Sequence, residues 1–247
     1  MQNPRLNKIV SLRSKPEECL PEVVDIPANV PVLPETLLSL ELKMGEHLVD
    51  LIEVAAIVRS DPGAAVHVMN LAGREASPTA EIAQRIEDCI SILDLQQCFK
   101  AMSEKTAAWT TDRAIMRGVW EHAREIAQLC RALAAESMDD TNPEDAYMVG
   151  LFHELGSLPG ILEWNSANSD YSDEDFVGLE LAKSWSLPTC VQEYFSNRGT
   201  LDQFCKWSEI VGQAHRLSSG SSFPQPQKSR APIFILQRTL VEESDLK

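Results

Sequence analysis

No stretch of this 247-residue sequence approaches the roughly 18 consecutive apolar residues that a membrane-spanning helix needs. The first residues, MQNPRLNKIVSLRSKPEE, also lack the apolar core of a secretory signal. The expectation is a cytoplasmic protein with no membrane partner. Paired cysteines are missing too. Cys19, Cys89, Cys98, Cys130, Cys190 and Cys205 are scattered, with no Cys-x-x-Cys. That excludes a zinc ribbon and reads as reduced, mostly buried thiols. Dense Lys/Arg clusters are absent, and the formal net charge is −15. Phosphates would repel such a surface, so nucleic acid is excluded as a partner. There is no internal repeat, and no segment alternates apolar and polar residues with β-branched enrichment.

What remains is helical patterning. Residues 1–28 are polar and proline-bearing, and read as an N-terminal arm. From Pro34, PETLLSLELKM sets Leu37, Leu38 and Leu42 on adjacent turns, and LVDLIEVAAIVRS sets Leu48, Leu51, Ile52, Ala55 and Val58 or Ala56 on one broad face. Asp61-Pro62 is a strong helix start, with Asp61 as cap and Pro62 at the first position. Further helices follow in SPTAEIAQRIEDCISIL, DLQQCFKAMSEKTAAW, GVWEHAREIAQLCRALAAESM, DFVGLELAKSWSL, PTCVQEYFS and DQFCKWSEIVGQAHRLSS. In DYSDED, Asp173 is a plausible cap. A Ser/Pro/Gln-rich linker and a tail with an apolar stretch, Ile233–Leu236, fill 221–247. The fold class is all-α.

The segment NPEDAYMVGLFHELGSL carries the chemistry. Asn142 can cap a helix beginning at Pro143, Glu144 and Asp145 suit its positive end, and Gly156 reads as its stop. The run between is almost wholly apolar, so the helix should be buried and its terminal His153 and Glu154 need partners. Two other histidines, His122 in VWEHAREIAQLC and His215 in IVGQAHRLSS, complete a set able to hold zinc, manganese or iron. The same four residues also admit a structural reading without metal. There the imidazole of His153 bonds a backbone carbonyl and the Glu154 carboxylate accepts bonds from helix ends. His67, on an apolar helix, reads as a packed histidine, and His47 as exposed. Trp120, Trp164, Trp185 and Trp207 read as core anchors.

An ordered series of segments carries a resemblance: LPET at Leu33–Thr36, SDP-x4-HVMNLA at Ser60–Ala72, WEHA at Trp120–Ala123, GLFHELG at Gly150–Gly156, WSLP at Trp185–Pro188, and AHRLS around His215. From about Pro31 to Ser219 the chain resembles an HDOD domain, the regulatory relative of the HD metal-dependent phosphohydrolases. The resemblance implies a domain over 29–220, with an N-terminal helical bundle at 29–112 and a degenerate HD-like bundle at 113–220. In the family pattern a histidine, a His-Asp pair and a later aspartate bind metal. His122 and His153 match the first two positions, while Glu154 and His215 replace the two aspartates. Ser157 stands where a phosphate-facing lysine belongs, and Ser196, Asn197 and Arg198 stand where further histidines occur.

The resemblance therefore implies a non-catalytic bacterial regulatory protein that acts as a scaffold for another protein, with no cofactor required. The alternative is an HD-type phosphohydrolase acting on a nucleotide or cyclic dinucleotide, with a divalent metal on His122, His153, Glu154 and His215. Anion binding in that cleft would draw on Arg124, Arg198 and Arg216. The high negative charge would steer the protein towards basic partner surfaces.

Overall fold

The computed structural model describes residues 30–76, 83–106, 113–137, 140–164, 173–198 and 205–218. Among these residues every regular element is helical, and no helix is long and apolar enough to cross a membrane. The expected arm at 1–28, Cys19 and the tail from 221 lie outside the described residues.

The first helices are α1 (Pro34–Met44), α2 (Leu51–Arg59), α3 (Pro62–Glu75), α4 (Ile86–Ile92) and α5 (Leu95–Thr106). Asp61 caps α3, accepting from the amides of Gly63 at 2.9 Å and Ala64 at 3.2 Å. Its other oxygen accepts from the Leu33 amide at 2.8 Å, so one carboxylate ties the start of α1 to the start of α3. Asp61 is fully buried. Burial pushes its carboxyl up to about 6, against the hydrogen bonds that favour the anion. Helix α3 is buried along Pro62–Met69 and forms the inner rod on which α2, α4 and α5 pack. His67 lies in this rod and bonds the Val30 carbonyl through Nε2 at 2.7 Å.

Tertiary packing redirects two of the expected apolar faces. In α1 the buried residues are Thr36 and Leu40, while Leu38 and Leu42 face solvent. In α2 the helix starts after the Asp50 cap, Val54, Ala55 and Val58 are buried, and Leu48, Leu51 and Ile52 are exposed. Periodicity finds a helix but does not choose among neighbouring apolar stripes when leucines surround it.

The second group is α6 (Arg113–Glu136), α7 (Pro143–Phe152), a 3-10 turn at Leu155–Ser157, α8 (Leu158–Ile161), α9 (Glu174–Ser184), α10 (Thr189–Arg198) and α11 (Lys206–Leu217). Helix α7 lies along α6, and a Cβ at Gly150 would sit 2.7 Å from the Ala127 Cα. Only a glycine permits that approach. As expected, Asn142 caps α7 by accepting from the Glu144 amide at 2.9 Å. The helix ends at Phe152, however, not at Gly156. The glycine has another job: a Cβ there would meet the Glu174 carbonyl oxygen at 1.9 Å, so it lets the start of α9 close over the turn. Asp173 caps α9, as its position suggested.

The two groups share one continuous core. Trp120 is 2% exposed and donates through Nε1 to the Pro31 carbonyl at 3.3 Å. Arg59 pairs with Glu87 at 3.1 Å and Glu144 at 3.0 Å, and its carbonyl accepts from the Tyr147 hydroxyl at 3.1 Å. Trp185 and Trp207 are buried, and Trp164 packs edge-on to Trp185. Cys89, Cys98, Cys130 and Cys190 are buried free thiols, and burial raises each of them.

Candidate metal centre

Three histidines from separate helices meet at the carboxyl end of α7. His122 comes from the middle of α6, His153 is the C-cap of α7, and His215 lies in the last turn of α11. Helices α6, α7 and α11 pack on one another, which is why residues 31 and 62 positions apart in sequence can converge. Ring centroids lie 5.3 Å (His122–His153), 5.2 Å (His122–His215) and 4.8 Å (His153–His215) apart. One nitrogen from each lies within 4.8 Å of the others. Around a tetrahedral zinc, bound nitrogens stand about 3.3 Å apart. The rings would therefore draw inward by about an ångström on binding.

The local bonding prepares His153 for that role. Its ring is 4% exposed, and Nδ1 lies 2.7 Å from the Gly150 carbonyl. A carbonyl can only accept, so Nδ1 carries the proton and Nε2 keeps its lone pair. That Nε2, like Nδ1 of His122, is buried without a hydrogen-bond partner among the described residues. A buried, unbonded Nε2 on a ring packed against two other imidazoles is what a set of metal ligands presents. Burial lowers His153 to about 3, opposed by the Gly150 bond and helped by His215, His122 and Arg198. Burial lowers His215 as well, again helped by His122 and Arg198. Both are neutral donors at physiological pH.

Glu154 sits differently from the buried partner expected of it. About a third of its side chain is exposed, and Oε1 stands 3.8 Å from Nε2 of both His122 and His153. Among the described residues no hydrogen bond from a helix end reaches this carboxylate. Burial raises it, and His122 works against that rise. Ser157 spends its hydroxyl on the Glu154 carbonyl at 2.7 Å and closes the turn.

Of the three arginines, the structure brings one towards the cluster. Arg198 exerts its field on His153, Glu154 and His215. It is engaged, with Nε 3.3 Å from Asp175 and its guanidinium over the Tyr194 ring. Arg124 acts instead on Tyr147, together with Arg59 and Arg131. Arg216 is exposed and folds back along its own helix towards Gly212. Two contributors had escaped sequence reasoning. The Gly150 carbonyl has a signal of sorts, since the last turn of any helix offers free carbonyls. Asp175 has none, because its partner is 23 residues away.

The space beside Glu154 is apolar and small, about 20 Å³, with Val30, Val66, Trp120, Phe152 and Leu155 among its walls. The HDOD domain matches residues 30–166, more than half of the chain. This chain belongs to the HDOD family. The match takes in His122, His153 and Glu154 and ends before the helix that supplies His215. Two crystal structures of the MmoQ response regulator from Methylococcus capsulatus str. Bath are similar in fold. The fragment 20–298 is 14% identical, with 77% of this chain and 82% of that one covered at a TM-score of 0.57. The second is 16% identical, with 75% and 84% covered at a TM-score of 0.59. No curated protein matches the chain.

Proposed function

We propose that this HDOD protein is a regulatory module that works through contact with another protein and does not turn over a phosphoester. One observation carries the reading: among the described residues the carboxylate within 4 Å of His122 and His153 is Glu154, raised by burial and set 3.8 Å from each imidazole. Phosphoryl transfer needs charge to be neutralised and a water held against phosphorus. Here Arg198, the cation whose field reaches the cluster, is paired with Asp175, the lysine position holds Ser157, and the space beside Glu154 is small and apolar.

A second reading has its own support in the orphaned nitrogens of His122 and His153. His122, His153, His215 and Glu154 fit a divalent ion, zinc, manganese or iron, by donor type. A bound ion would supply Lewis acidity and an activated water. The chain's own residues would hold three imidazole nitrogens and one carboxylate around it, with the Gly150 carbonyl orienting His153.

Elemental analysis of untagged protein purified without chelator, followed by phosphomonoester, nucleotide and cyclic-dinucleotide assays, tests both readings. The expected result is no hydrolysis, whether or not metal is present. Turnover that disappears in His153→Ala would overturn the non-catalytic reading and establish the phosphohydrolase.

A further inference from the structure

A cavity of about 310 Å³ opens where the two helical groups meet, between the end of α2, the start of α4 and the first two turns of α7. That is the lower end of the range, roughly 300–1,000 Å³, in which small-molecule sites fall, and junctions between packed units are where such sites form. The cavity is separate from the histidine cluster, since neither the three imidazoles nor Glu154 line it. Its apolar part is Ile86 from α4 and Met148 from α7, both buried. Its polar part is five charged side chains and Gln84, whose Oε1 accepts from the Thr189 amide at 2.8 Å.

Ion pairs sort the charges. Arg59 holds Glu87 at 3.1 Å and Glu144 at 3.0 Å, and Glu144 also pairs with Arg131. Those two guanidiniums and two carboxylates cancel. Two charges on the cavity wall are left over. Arg85 precedes α4 without making a capping bond, and neither it nor Asp145 forms a contact ion pair among the described residues. Arg85 and Lys206 favour the Asp145 anion, but burial outweighs them and raises its carboxyl. Lys206 itself lies over the Trp207 ring at 4.3 Å. One cation and one anion beside an apolar floor select among ligands. An anion alone would meet Arg85 and be set against Asp145. A cation alone would satisfy Asp145 and be set against Arg85. A molecule with both charges serves both, because a carboxylate takes two hydrogen bonds from a guanidinium and an ammonium donates to a carboxylate.

We propose that this cavity binds a compact zwitterion, a free α-amino acid with an aliphatic side chain, with its carboxylate on Arg85, its ammonium on Asp145 and its side chain against Ile86 and Met148. Arg85 and Asp145 belong to different helical groups, so the ligand joins the start of α4 to α7, where Arg59 already links Glu87 to Glu144. Binding reinforces that junction and gives the domain an input separate from its histidine cluster. The site stands whether or not the cluster holds metal or the protein turns over a phosphoester.

The test is titration calorimetry of the full chain with L-leucine, beside isoamylamine and isocaproate, which are leucine without its carboxylate and without its amine. The expected result is saturable binding of leucine with a dissociation constant below about 1 mM. Each analogue leaves one charge unmatched and should bind about tenfold more weakly or worse. Arg85→Gln and Asp145→Asn should weaken leucine to a similar degree. Arg85 is exposed and Asp145 half-buried, so both variants should fold. In amide exchange, leucine should slow the start of α4 and the first turns of α7 in the unaltered chain. No saturable binding of leucine, isoleucine, valine or methionine, an analogue that binds as well as leucine, or an affinity unmoved by both substitutions would each overturn the proposal. The analogue arm needs no variant, so it decides even where a substitution unfolds the protein.

Discussion

Two buried polar side chains make a contrast, Asp61 at the junction of α1 and α3 and His153 in the histidine cluster. Asp61 is fully buried and shares its oxygens among three backbone amides, those of Leu33, Gly63 and Ala64. His153 is nearly as buried, yet among the described residues its Nε2 has no hydrogen-bond partner, and neither has Nδ1 of the adjacent His122. A satisfied buried group stabilises and specifies a fold, whereas an unsatisfied one costs stability and persists where something else is served. Asp61 belongs to the architecture. The histidines hold donor atoms ready.

The comparison breaks most visibly at Asp61. Asp61→Ala removes the α3 cap and strands the buried Leu33 amide, and should cost about 3 kcal/mol or more. Denaturant titration checks this, with Asp61→Asn expected to recover part of the loss. A change below about 1 kcal/mol would remove Asp61 from the architecture.

At the histidine cluster the sign reverses, because a ligand can be added. Zinc or manganese at 100 times its dissociation constant should stabilise the protein by about 2.7 kcal/mol, seen as a rise in melting temperature. The rise should vanish in His153→Ala and shrink in His215→Ala. Equal rises in all three proteins would place the ion elsewhere.

Acid should separate the two places further. His153 is held at about 3 in the fold, below its ordinary 6.5. The unfolded chain therefore binds the extra proton between those values, and stability is lost as pH falls through that window. The slope reaches about 1.4 kcal/mol per pH unit, or about 2 kcal/mol between pH 6.5 and 5. The lowered His215 adds loss of the same sign. Asp61, raised to about 6, acts oppositely: its contribution is present at low pH and fades as pH rises through that value. Subtracting the pH profile of His153→Gln from that of the unaltered chain isolates the histidine. Parallel profiles would contradict the assignment.

The smallest effect belongs to Glu154. With a third of its side chain exposed and its carboxyl raised by burial, Glu154→Gln should shift stability at neutral pH by less than about 1 kcal/mol, towards stabilisation. A loss of 2 kcal/mol in chemical denaturation would show that the carboxylate satisfies a buried group after all.

Much of this was legible beforehand. Asp61-Pro62, Asn142-Pro143 and Asp173 marked helix starts that the fold contains, because a cap is a local hydrogen bond between near neighbours in sequence. The four site residues were legible by order and type, and three of them meet as a cluster. The arginines were not: Arg198 turns to the site while Arg124 and Arg216 do not. Long side chains reach in directions that helix phase and neighbours set. The exposed leucines of α1 and α2 failed for a related reason, since burial depends on which stripe the adjoining helices happen to cover.

The order of residues alone determined that the chain is helical and where several helices begin. Those are properties of hydrogen bonds and periodicities spanning a few residues. Folding in three dimensions decided that two imidazole nitrogens are buried and unbonded, that Glu154 stays partly wet, and that the corner of α1 and α2 is left uncovered among the described residues. Solvent exclusion is a property of packed surfaces, and no local pattern computes which surfaces will meet.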